Sequence, residues 1–80
     1  MDIEHVNKMI GKTADQIIKA IAIHHDFTLP VTTLPEINRL LGFVEACEEP
    51  INYPELADLE PKLFYSALCE LRIRLNNIGN

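Results

Sequence analysis

Three histidines, two cysteines and twelve carboxylates are the side chains of this 80-residue chain best suited to chemistry. Their spacing limits what they can do. His24 and His25 stand side by side in AIAIHHDFTLP, residues 20 to 30. Neighbours on a helix point about 100° apart, whereas helical metal-ligand pairs sit at i and i+4, so these two cannot readily share an ion. His5 lies about five helical turns upstream, and Cys47 and Cys69 belong to other segments with no CxxC partner. No metal site is predicted. The pair reads instead as the last turn of a helix, where a partial positive charge complements the C-terminal dipole, and a histidine there could also act as a pH sensor at an interface.

Other arrangements are equally unpromising for catalysis. IGKT at 10 to 13 resembles the end of a phosphate-binding loop, but the full motif needs a glycine five positions before Gly11, and Val6 is there. Ser66 is the only serine and falls within a helical segment. The acid pairs Glu48 with Glu49 and Asp58 with Glu60 lie in a proline-rich stretch or at a helix start, where carboxylates are solvated or capping. A catalytic acid needs burial to raise its pKa, and nothing in the pattern supplies it. The reading is a non-enzyme with no catalytic residues, no cofactor and no metal.

Composition sets the class: 48% hydrophobic and 24% charged residues are a globular balance, and the length suits one small helical domain over 1 to 80. A domain this small buries only roughly 60% of its unfolded surface, so pairing with a second copy is expected. Two cysteines without a secretory signal point to a reducing cytoplasm, and the longest apolar run, AIAI, is far short of a membrane span. A net charge of -5 argues against direct nucleic-acid binding, which needs clustered Lys and Arg.

Hydrophobic periodicity gives an all-α fold: a small bundle of three helices, four if a turn started by Pro54 is counted, joined by extended connectors that contain proline. Ile3, Val6, Ile10, Ala14, Ile17, Ile18 and Ile21 keep a spacing of three and four, predicting a helix over about 3 to 25. The phase survives Gly11, which favours one helix over two hinged there, although Thr13-Ala-Asp-Gln16 has the form of a capping box. DFTLPVTT ends it. Thr33 and Pro35 start a second helix over about 34 to 48, with Leu34, Ile37, Leu40, Leu41, Val44 and Cys47 inward and Gly42 as a place for close backbone approach. Asp58 is expected to cap a third, over about 59 to 77, with Phe64, Ala67, Leu68, Leu71, Leu75 and Ile78 inward and Gly79 at its C-cap.

The third helix is the most informative surface. Lys62, Tyr65, Cys69, Arg72 and Asn76 line up beside its core stripe, and Tyr and Arg are residues that interfaces favour. Leu63 and Ile73 make the helix apolar on more than one side, the mark of an element with two neighbours, and the second can come from another chain as a C2 dimer. Partner-binding residues are therefore expected at Tyr65, Cys69, Arg72 and Arg74, with the acidic Glu45, Glu48 and Glu49 nearby. The function predicted is that of a small adaptor or inhibitor binding another protein, of the compact kind phages and mobile elements encode.

A DNA-binding or nucleoid-associated transcriptional regulator is the alternative. The long connector before the last helix and its three basic residues fit a helix-turn-helix poorly. NYPELADLEPKLFYSA, 52 to 67, resembles the linker and helix start of the Hha and YmoA family, small partners of nucleoid proteins, over a fifth of the chain. That resemblance implies modulation of transcription through a protein partner. It stops after Ala67, where LCELRIRL replaces the family's polar segment, so no functional residue is carried over.

Overall fold

The computed structural model describes residues 2–47 and 52–78. Three helices form a bundle: α1 (Ile3–His25), α2 (Leu34–Ala46) and α3 (Pro61–Ile78), with a 3-10 turn (Pro54–Leu56) in the connector before α3. The first helix is continuous through Gly11. Its N-cap is Asp2, whose carboxylate accepts from the Glu4 amide at 3.0 Å, and Thr13 is buried in mid-helix instead of capping a second one. At the other end Asp26 adopts a left-handed conformation, φ 57°, which a short polar side chain tolerates better than most, and the Asp26 and Phe27 amides both return to Ala22 O.

Sequence placed α2 well, with Thr33 at the N-cap and Pro35 in the first turn, but the Thr33 side chain makes no capping bond and the helix ends at Ala46. The expected start of α3 is corrected by two residues. The Leu59 amide still bonds back to Leu56 O, and Glu60, preceding a proline, is disfavoured in helical conformation. The helix therefore begins at Pro61, the Phe64 amide reaches Glu60 O at 2.9 Å, and Asp58 lies in the turn before it. The C-cap expected at Gly79 lies outside the described residues.

Residues from all three helices share one core: Ala14, Ile17 and Ile21 of α1, Ile37, Leu40 and Val44 of α2, and Phe64, Leu68, Leu71 and Leu75 of α3. Tyr53 and Leu56 from the connector and Val31 from the first loop complete it. Three residues assigned inward by periodicity are instead exposed: Ile3 at 75%, Leu34 at 53% and Ile78 at 58%. Each stands at or near a helix end. Periodicity gives the inward direction but not where the cover stops.

α3 packs most extensively on α1 and also touches α2. Val6, Met9 and Ile10 border Leu63 and Ser66 at one end, Asp15 pairs with Arg74 farther on, and Ile18 shares a groove with Leu75 and Ile78. The two helices thus run in the same direction. Gly11 faces α3, where a Cβ would stand 3.4 Å from Arg74 Nη2, an ordinary van der Waals contact. Gly42 has no such neighbour: nothing lies within 4 Å of the Cβ it lacks. The close backbone approach expected there does not occur.

Two stability changes follow from this packing. Phe64→Ala, at a fully buried site, should lower unfolding free energy by about 3–5 kcal/mol. Gly42→Ala should raise it by about 1 kcal/mol, because an open helical position gains propensity without a clash. Urea unfolding followed by helical circular dichroism measures both.

Candidate functional site

Two places on the molecule gather side chains with more than packing to offer. The first is the outward side of α3. Tyr65, Cys69 and Arg72 lie at i, i+4 and i+7 and are all exposed, Tyr65 at 51%. Ile73, beside them, is 58% exposed. Arg74 is directed differently: its Nη1 donates to Asp15 Oδ1 at 3.0 Å and its Nε to Glu70 Oε1 at 3.2 Å, so it is half-buried between α3 and α1. Glu45 is exposed on α2, and Glu48 and Glu49 lie outside the described residues.

The second place is the C-terminal end of α1. His24 Nε2 meets both oxygens of Glu55, at 2.9 and 3.0 Å, and His25 Nε2 hydrogen-bonds the Tyr53 hydroxyl at 3.0 Å. The His25 ring stacks on Phe43 of α2, centroids 3.8 Å apart and planes 12° apart, and Phe27 meets Phe43 edge-on. Arg39 lies over Phe27, 4.6 Å from the ring centroid, and donates from Nη2 to His25 O at 3.2 Å. A carbonyl left free by the end of α1 is thereby satisfied by a cation, which the helix dipole favours.

Both histidines do occupy the last turn of α1, as the sequence predicted. What adjacency in sequence could not show is that they diverge onto different neighbours. Each holds the connector before α3, 31 and 28 residues away in sequence. The signal available beforehand was Pro54, which marks a turn; the burial of Tyr53 beside it carried no periodic signature.

The electrostatics of this end follow from its contacts. Glu55's own backbone amide, and after it the His24 hydrogen bond, hold the carboxyl below its usual range. Burial pushes the Tyr53 phenol up, helped by the neighbouring Cys47. Burial likewise pushes the Cys47 thiol up, partly offset by a hydrogen bond with Asn52. Among the described residues no group of three or more His, Cys, Asp or Glu is arranged to hold a metal ion, and no helix is long and apolar enough to cross a membrane.

No protein-family model, no curated protein and no solved structure matches the chain. The resemblance of 52 to 67 thus gains no support from these comparisons; the stretch comprises the connector from Asn52 and the first two turns of α3.

Two measurements probe this geometry. Thiol labelling of the folded protein should modify exposed Cys69 quickly and Cys47, 4% exposed, only on opening or unfolding, as peptide mapping would read. Glu55, with its carboxyl lowered in the fold, adds stability that is present above its unfolded value and lost as pH falls through its folded one. The gap between wild type and Glu55→Gln in urea midpoint should therefore close as pH falls below about 4.3.

Proposed function

We propose that this chain is a small non-enzymatic protein-binding module, an adaptor or inhibitor, that engages its partner through the outward side of α3. The observation that carries this reading is that α3, already packed on α1 and α2, still presents Tyr65, Cys69, Arg72 and Ile73 together to solvent. An aromatic, an arginine and an aliphatic side chain on one rigid helical face make a compact anchor for a protein surface. Arg74 supports the patch from behind by fixing α3 against α1. Among the described residues, the pairing of Arg74 with two acids leaves Lys62 and Arg72 as the basic residues of α3 without an ion pair, a weak footprint for a phosphate backbone.

Self-association belongs to the same reading. The bundle's accessible surface, 5473 Å2 for 9.1 kDa, exceeds the roughly 4,900 Å2 typical of a folded monomer of that mass. A second copy or a heterologous partner would reduce that exposure.

The test compares wild type with a Tyr65→Ala, Arg72→Ala double variant in affinity capture from nuclease-treated lysate of the native host. A stoichiometric protein should accompany wild type and be reduced at least tenfold with the variant, whose helical circular dichroism is unchanged. Equal recovery with both would place the binding surface elsewhere, and recovery that vanishes with nuclease would favour nucleic-acid association.

A further inference from the structure

We propose that the connector over 52 to 57 is a pH-sensitive strap, held on the end of α1 by His24 through Glu55 and by His25 through Tyr53, whose lifting uncovers apolar core. The strap has an outer and an inner side. Outside, the His24 and Glu55 side chains are partly solvated, 37% and 45% exposed, so their protons exchange with water without unfolding. Inside, Leu56 is 1% and Tyr53 9% exposed, and both belong to the core. Weakening the outer contact makes opening easier for a segment whose inner face is apolar.

The groups that set its response can be named from each element. Glu55 and the Tyr53 ring, 5.1 Å between centroids, face His24 from the connector. His25 is faced by Tyr53 from the connector and by Phe43 from α2, while Arg39 bonds its carbonyl. Asp26 adjoins both as the cap of α1, and Cys47 lies beside Tyr53. A proton on His24 adds a full positive charge to a donor that already meets both oxygens of the Glu55 carboxylate, making the contact an ion pair at the end of a helix whose dipole favours the cation. Withdrawing that proton leaves the same contact without the charge on the donor. The strap is thus held more tightly when His24 carries its second proton and Glu55 is ionised than when His24 is neutral.

The strap's own backbone bonds report on it: the Leu56 amide on Tyr53 O, Ala57 on Pro54 O, and Leu59 on Leu56 O. Amide exchange of the full chain, expressed as protection relative to the unstructured rate, is measured at pH 5.5 and 7.5 by NMR. In wild type these three amides should be about two- to fivefold better protected at pH 5.5, the range that a partly exposed ion pair supplies. Amides in the centre of α2 serve as controls for global stability. His24→Gln and Glu55→Gln should each remove the difference, whereas His25→Gln should lower protection at both pH values and keep it. A wild-type ratio near one, or a ratio that persists in His24→Gln, overturns the proposal. Should a glutamine variant lower global stability, the α2 controls would fall with it, and the ratio between strap and control decides the outcome.

Discussion

The middle of α1 is the surface on which the rest of this small protein is assembled. Ala14, Ile17 and Ile21 are fully buried, and the alanines at 14, 20 and 22 leave room for neighbours to approach closely. An 80-residue chain has little apolar surface to spare, so one continuous helix must serve both α2 and α3 and also the connector between them. That demand explains why α1 is the longest element and why its middle and C-terminal half is the better covered part. Gly11, in mid-helix, lies beside Arg74 of α3, whose guanidinium pairs with Asp15.

The same economy shapes the connector before α3. A chain with a larger core could leave such a segment in solvent. Here Tyr53 and Leu56 are drafted into the core, and the polar residues beside them, Glu55 above all, are left to meet the end of α1. The contacts that close the fold at this end are also the ones on which the proposed pH response rests. The outward side of α3 has no comparable internal duty, which is the physical basis for assigning it to a partner.

Much of the fold was legible in the sequence because spacing of three and four reports helix faces directly. The stripes through Ala14, Ile17 and Ile21 and through Phe64, Leu68, Leu71 and Leu75 point where they should. Two kinds of information were not legible. Helix ends depend on local competition, so Asp58 looked like a cap until the turn through Leu59 and the proline at 61 moved the start of α3. Long-range pairs such as His24 with Glu55 and Asp15 with Arg74 depend on how connectors fold back, which no local pattern encodes. For the same reason Arg74 could be grouped with Tyr65 and Arg72 by sequence although it is turned toward α1.

The central claim, that the outward side of α3 is a protein-binding surface, is tested most directly by site-specific photo-crosslinking in the native host. A photoreactive residue replaces Tyr65 in one protein and Asn38, exposed on α2, in another. The account predicts a discrete protein adduct from position 65, with none of that size from position 38. Adducts of equal yield from both positions, or adducts to nucleic acid alone, would contradict it.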